Sequence, residues 1–181
     1  MRPNVGKGGG GRVEPGGTGT RTCKHAGRKG SLLGGTGAGA DTRFGGTKYA
    51  KEFIKELWGL PPALDMEYER RVQFAIRKII AEGLAESAHD LSDGGLAVAL
   101  AECCMWSGLG LQGEATALPD GAEGDPLATL AALYGEAPSR IVVSLAPDSW
   151  EALAQLAARH NTPITRLGTG GGDRLQPQGA L

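Results

Sequence analysis

Residues 87–102 read Ser87-Ala88-His89-Asp90-Leu91-Ser92-Asp93-Gly94-Gly95-Leu96-Ala97-Val98-Ala99-Leu100-Ala101-Glu102. The stretch predicts a short strand over about 85–89, a polar glycine-paired turn, and a helix from about Gly95 to Trp106. A strand that turns into a helix this way presents free backbone N–H groups, and with the helix dipole these form a ready anion site. His89, Asp90 and Asp93 add an imidazole and two carboxylates within five residues, a set suited to orienting a phosphate-bound magnesium or a polar substrate. The same residues also have a purely structural reading. Ser92 or Asp93 can cap the helix, while Gly94 and Gly95 permit the turn and close packing. Both readings stay open at the level of spacing.

Moving outward, the chain alternates helices and strands. Upstream, Thr47–Trp58 places Tyr49, Phe53 and Leu57, with Ile54 and Trp58, at helical spacing, and Gly59 and Pro61-Pro62 end that helix. A second helix starts at Asp65, a good N-cap, with Glu67 and Glu69 in its first turn and Val72, Ile76, Ile79 and Ile80 on its apolar face. Gly83 stops it. The helix after Gly95 is apolar nearly all round, which predicts burial, and Gly108 terminates it. Downstream come a strand over 109–115, a loop over 120–126 and a short helix over 127–134. Ser139–Leu145 (SRIVVSL) is the surest strand because its centre is β-branched. Pro147 and Asp148 open a helix through Arg159, with Asp148 and Glu151 at capping-box spacing. Strands over 162–168 and from Asp173 follow, linked by Gly168-Thr169-Gly170-Gly171-Gly172. Helices and strands intermixed in this way predict an α+β or layered α/β/α domain.

The chain has 181 residues, a net charge of −1 and 31 glycines, far above the roughly 7% of average usage. Only nine residues are aromatic, three each of Phe, Trp and Tyr. No run approaches the ~18 apolar residues of a membrane-spanning helix. Residues 1–46 hold sixteen of the glycines and eight basic against two acidic residues, a charge of +6 that leaves −7 for the rest. With so few apolar residues, 1–30 reads as a disordered, basic, Gly-rich tail. It lacks the apolar segment of a signal peptide and the repeats and aromatics of nucleic-acid-binding RGG arms. Domain bounds follow: tail 1–30, linker and lead-in helix 31–64, folded domain 65–176 and a short tail 177–181. Neither nucleic acid nor membrane is expected as a partner. Cys23, Cys103 and Cys104 offer no CxxC pair and no zinc spacing, and the odd count without a secretory signal predicts a cytoplasmic protein.

The remaining clusters are less telling. No GxxxxGK[ST] occurs, and Gly34-Gly35-Thr36-Gly37-Ala38-Gly39 does not sit in a dinucleotide-binding βαβ unit. Glu136 and Arg140, before the surest strand, are set to pair with each other or to contact a ligand. A surface ion pair there is worth little. His160 lies at a helix end, where a cation suits the dipole. No Ser-His-Asp or Cys-His catalytic set is available, so no residue is assigned as catalytic or as a metal ligand.

His89-Asp90-Leu91-Ser92-Asp93-Gly94-Gly95-Leu96, running on to Ala101-Glu102, resembles the HDxSDGGLxxALAE signature of phosphoribosylformylglycinamidine synthase. The likeness is to the second C-terminal domain of its large, synthetase subunit, in the aminoimidazole ribonucleotide synthetase superfamily. Further matches fall in the family's order. Gly45-Gly46-Thr47-Lys48-Tyr49 is similar to GGSEY, and Pro61-Pro62-Ala63-Leu64-Asp65 to the PPxxDL step. Gly135-Glu136-Ala137-Pro138-Ser139-Arg140 is similar to GESPSR, and Gly168–Leu175 to the GTVGGDRL ending. The resemblance covers about four fifths of the chain.

This resemblance implies an α/β/α, partly ferredoxin-like fold. It implies a role in the ATP-dependent conversion of formylglycinamide ribonucleotide and ammonia to the amidine, in purine biosynthesis. In that reaction the amide oxygen is phosphorylated and ammonia displaces the phosphate. The implied partners are the N-terminal synthetase domains, or a partner chain supplying them, and a glutamine amidotransferase that releases the ammonia. ATP and magnesium are implied for the family enzyme and no cofactor for this chain. The family's catalytic histidine, ATP contacts and magnesium ligands lie in upstream domains and carry over to no residue here. His89, Asp90, Ser92, Asp93, Gly94, Gly95, Glu136 and Arg140 are the ligand or interdomain contact candidates. Lys48 reverses the charge of the family's glutamate, and residues 1–30 match nothing in the family, so a fragment inactive by itself is expected. The alternatives are a non-catalytic module that docks on an ATP-binding partner chain, and a sister enzyme: aminoimidazole ribonucleotide synthetase, selenophosphate synthetase or thiamine-phosphate kinase.

Overall fold

The β-branched run Ile141-Val142-Val143 lies in a six-stranded sheet whose two faces are both covered. The computed structural model describes residues 12–13, 17–18, 25–35, 43–113 and 126–176. The strands are β1 (Lys29–Leu33), β2 (Ser87–Asp90), β3 (Leu111–Gly113), β4 (Ile141–Leu145), β5 (Ile164–Gly170) and β6 (Leu175–Gln176). The helices are α1 (Met66–Ala81), α2 (Gly95–Ser107), α3 (Pro126–Tyr134) and α4 (Trp150–Arg159). The spatial order is β2-β4-β1-β5-β3-β6, antiparallel throughout except for the parallel β3–β6 pair. In β1-α1-β2 and in β4-α4-β5, a strand of the other unit separates the two strands, which is the split arrangement of ferredoxin-like folds. The segment α2-β3-α3 is inserted between the two units, and the site grows from this insertion.

Strand alternation divides the core in two. On one face Leu33, Val143 and Leu145 pack with Ile76 and Ile79 of α1 and with Leu153, Leu156 and Ala157 of α4. On the other, Leu32, Val142 and Leu167 pack with Leu96 and Ala99 of α2 and with Leu91, and α3 packs against α2. These are the expected α/β/α layers. A bulge sets Leu167 on the second face: Arg166 pairs with Ser31 and Gly168 with Gly30, so Leu167 has no opposite residue. Gly168 is required there, since a Cβ at this position would lie 2.1 Å from the Gln112 carbonyl oxygen.

Several local expectations hold. Asp65 Oδ1 accepts hydrogen bonds from the amides of Glu67 and Tyr68, both at 3.0 Å, so the N-cap of α1 forms as its sequence predicts. Gly83 takes φ +69 after α1, and Gly108 takes φ +66 after α2. His160 caps α4 and turns its ring edge-on to Phe74.

Other expectations are corrected. The folded domain does not begin at residue 65, and 31–64 is not simply linker and lead-in helix, because Lys29–Leu33 lies between β4 and β5. Gly27 and Gly170 bond through their backbones, and Arg28 pairs with Glu86 at 2.9 Å, so the chain is anchored before β1. A five-residue strand paired on both sides needs little apolar pattern of its own. Within the remaining tail, Arg12–Val13 and Gly17–Thr18 pair antiparallel, and the rest of 1–24 lies outside the described residues, as do 36–42, 114–125 and 177–181.

The helix read over 47–58 stops at Ile54, where its last turn is a π-turn and Lys55 takes φ +66. The Trp58 amide then donates to the Gly45 carbonyl at 3.2 Å, closing the excursion on itself. Helix α2 is not buried all round: Leu96, Ala99 and Cys103 face the sheet, while Met105 and Trp106 are exposed. Cys104 is half-buried, and that burial pushes its thiol pKa up. The Asp148–Glu151 capping box does not form, because Pro147–Ser149 makes a 3₁₀ turn and neither it nor α4 has a side-chain cap. Strand β5 runs on through Gly170, so the link to β6 begins at Gly171.

Candidate functional site

Strand β2 delivers His89 and Asp90 to the edge of the sheet, and the turn Leu91–Gly94 carries the chain into α2. Gly94 takes φ +84 and Gly95 φ +66, backbone that L side chains rarely adopt. Gly95 is also required for space. A Cβ on it would come within 2.5 Å of the Gly135 carbonyl oxygen and 2.9 Å of that of Leu133, so the start of α2 lies directly against the end of α3.

The first turn of α2 has no cap from Ser92 or Asp93. A carboxylate from another part of the chain does that work. Glu136 Oε1 accepts the Gly94 amide at 2.7 Å and the Lys48 amide at 2.8 Å. The anion position predicted from the turn is thus occupied by an internal anion, in the place where the helix dipole favours one. Around it, Lys48 Nζ lies 3.4 Å from Asp93 Oδ2, an exposed pair of small energetic weight. Tyr49 packs its ring against Phe44, Phe53 and Tyr134. Buried Thr47 donates to the Phe44 carbonyl at 2.8 Å and accepts from the Ala50 amide at 3.1 Å.

His89 is buried, with Nδ1 2.6 Å from the Asp90 carbonyl oxygen and Nε2 2.9 Å from Glu102 Oε2. Both neighbours are oxygens of the chain itself, and the ring ties β2 to α2 across thirteen residues. Asp90 and Ser92 hold each other at 3.3 Å at the surface.

Arg140 is only 4% exposed. Its Nη1 donates to the Gly135 carbonyl at 3.2 Å and its Nη2 to the Ala132 carbonyl at 2.9 Å, so a cation sits at the C-terminal end of α3. Nε has no hydrogen-bond partner among the described residues, and burial lowers the guanidinium pKa to about 10. Glu136 and Arg140 therefore do not pair with each other, contrary to the sequence expectation. They diverge, one to the start of α2 and the other to the end of α3. Next to them, Ser139 takes φ +64 and donates its hydroxyl to Glu69 of α1.

The structure thus brings Asp93, Gly94, Gly95 and Glu136 together, sets His89 beneath α2 and Arg140 beneath α3, and leaves Asp90 and Ser92 facing water. Sequence reasoning missed Glu102 as the partner of His89 and Lys48 as the partner of Glu136. Glu102 closes the signature that His89 opens, and that was the available signal. Nothing local links Lys48 to a residue 88 positions away. Among the described residues, no three His, Cys, Asp or Glu side chains converge as a metal site, and no helix is long and apolar enough to cross a membrane.

With this geometry established, comparison places the chain among known proteins. The family model described as AIR synthase related protein, C-terminal domain, matches residues 28–176. Phosphoribosylformylglycinamidine synthase subunit PurL of Anaeromyxobacter sp. (strain Fw109-5) is 43% identical over 148 residues, covering 76% of this chain and 18% of that protein. The chain therefore spans less than a fifth of the curated relatives it matches. Among solved structures, T. maritima PurL complexed with ATP superposes with a TM-score of 0.65 at 18% identity, over 88% of this chain and 25% of that one. Thiamine-monophosphate kinase from Stenotrophomonas maltophilia K279a gives 0.62 at 24% identity, over 91% and 54%. At these identities both structures speak for the fold alone.

Proposed function

The chain belongs to the AIR synthase related C-terminal domain family, and on that premise we propose that it serves as the second C-terminal domain of a phosphoribosylformylglycinamidine synthase large subunit. One observation carries the reading: three motif segments far apart in sequence meet at a single carboxylate oxygen. Gly45–Tyr49 brings the Lys48 amide, His89–Gly95 brings the Gly94 amide, and Gly135–Arg140 brings Glu136. Both ring nitrogens of His89 and both terminal nitrogens of Arg140 are engaged within the domain. His89 is held by Asp90 and Glu102, and Arg140 by the end of α3. What they build is a fixed face rather than a reacting centre.

In this reading the domain contributes shape to an enzyme that phosphorylates the amide oxygen of formylglycinamide ribonucleotide and lets ammonia displace the phosphate. Among the described residues no three His, Cys, Asp or Glu side chains converge, and no step is assigned to ATP or magnesium in this chain. Both belong to the other synthetase domains, and the ammonia comes from a glutamine amidotransferase. A cytoplasmic setting goes with this pathway.

The test is complementation. The purified 181-residue chain, given formylglycinamide ribonucleotide, ATP and ammonia, is expected to show no turnover. Added to a synthetase subunit of the Anaeromyxobacter relative from which the matching domain has been removed, it is expected to restore amidine formation. Turnover by the chain alone, or failure to restore it, overturns the proposal.

A further inference from the structure

The candidate site lies beside an apolar rim that the fold presents to solvent instead of burying. From Phe53 to Met66, seven large apolar side chains are exposed, Ile54 and Trp58 by just under half and the others by more: Phe53 at 75%, Leu57 at 62%, Leu60 at 68%, Leu64 at 56% and Met66 at 67%. Loose loops expose such residues only when nothing holds them, but here the base of the excursion is fixed. Thr47 is buried and bonded twice, and Lys48 shares Glu136 with Gly94. Tyr49 is held among three rings, and Trp58 closes back on Gly45, where a Cβ would sit 2.1 Å from the Trp58 carbonyl oxygen. Pro61 and Pro62 stiffen the return toward α1. The base of the rim is therefore held before a partner arrives, which lowers the cost of association.

We infer that this rim, Phe53 to Met66, is the surface on which the ATP-binding remainder of a synthetase subunit docks. The inference rests on the domain reading above and names the surface that reading needs. The occupant follows from two observations. First, the curated relative keeps 82% of its length outside the part this chain matches, so the same domain there lies within a much longer polypeptide. Second, the rim is continuous with the motif face: the Lys48 that starts the excursion also reaches Asp93 and Glu136. Lys51, Glu52, Lys55 and Glu56 balance in sign, so the contact is apolar at its centre with mixed charge at its edge, the usual anatomy of an interface.

The test titrates the full 181-residue chain with the Anaeromyxobacter synthetase subunit lacking the matching domain, its folding checked by ATP binding. The expected result is saturable binding that weakens at least tenfold in Leu57→Ser/Leu64→Ser and, separately, in Leu60→Ser. Met105→Ser, equally exposed but on α2, is expected to leave it unchanged. Because these side chains face water, the melting temperatures are expected to stay at the wild-type value. Wild-type binding that the rim variants do not alter overturns the rim and leaves the domain reading standing. No binding by the wild-type chain overturns the domain reading itself. A wild-type chain that self-associates and becomes monomeric in the rim variants makes a second copy the occupant and overturns the inference.

Discussion

Glu136 is the most informative residue to perturb, because one oxygen serves two backbone amides from separate motifs at 2.7 and 2.8 Å. Hydrogen bonds to a charged group contribute about 1.5–3 kcal/mol each in well-buried settings. These two are partly open to water, which can take over part of each bond, so Glu136→Ala is expected to cost about 2–3 kcal/mol in total. In a domain of this size each kcal/mol moves the melting temperature by about 2–4 °C, giving a loss of roughly 5–10 °C. Glu136→Gln keeps an acceptor oxygen and loses only the charge, including its favourable placement at the start of α2, for about 1 kcal/mol. The graded order, wild type above Gln above Ala, distinguishes a hydrogen-bonding role from a merely space-filling one. Thermal unfolding gives the totals and amide hydrogen exchange gives the location. Gly94 and Lys48 should exchange faster in the Ala variant, whereas Gly95, bonded to the Ser92 carbonyl, should not. An Ala variant that melts within about 1 °C of wild type, with unchanged exchange at Gly94, refutes the account.

Three further outcomes follow from the same geometry. Gly95→Ala combines a left-handed backbone with a 2.5 Å approach to the Gly135 oxygen, and is expected to cost at least about 2 kcal/mol in urea unfolding; a neutral result would show that α2 and α3 can separate without loss. His89→Ala is expected to destabilise by about 2–3 kcal/mol, because it opens a buried site and removes the link to Glu102. Asp93→Ala, which loses only the exposed pair with Lys48, is expected to change stability by less than about 1 kcal/mol; the reverse order in thermal melts refutes the assignment. Burial holds the native Arg140 guanidinium at about 10, below its ordinary value. Below pH 10 the group is charged in native and unfolded chains alike and contributes no slope. Above pH 10 the native state releases its proton first, the unfolded chain holds more protons, and the group's contribution to stability rises with pH. Urea unfolding of wild type against Arg140→Met from pH 9 to 11 should therefore show a difference that moves in favour of the wild type, and a constant difference counts against it.

Local chemistry was legible in residue order wherever a single segment carried it. Asp65 caps α1 because a β-region aspartate before a periodic apolar run has nowhere better to place its carboxylate. Ile141–Leu145 is a strand because its branched side chains suit a pleated, doubly covered position. The motif order likewise pointed to the right family and layers. The misreadings arose where distant partners decide. Lys29–Leu33 looks like the end of a tail and is a central strand, because β4 and β5 supply its bonds and cover. The helix read to Trp58 stops at Ile54, because the chain closes back onto Gly45.

The candidate site divides in the same way. Glycines 94 and 95, the turn and the helix it opens are determined by the sequence itself, since only glycine tolerates those backbone angles with neighbours so near. Which group fills the helix start was decided only in three dimensions. Ser92 and Asp93 were the nearest candidates along the chain, yet Glu136 holds Gly94, and Arg140 turns away from Glu136 to the end of α3. A polar group takes whichever partner the packed chain brings within about 3 Å, and sequence separation does not measure that distance.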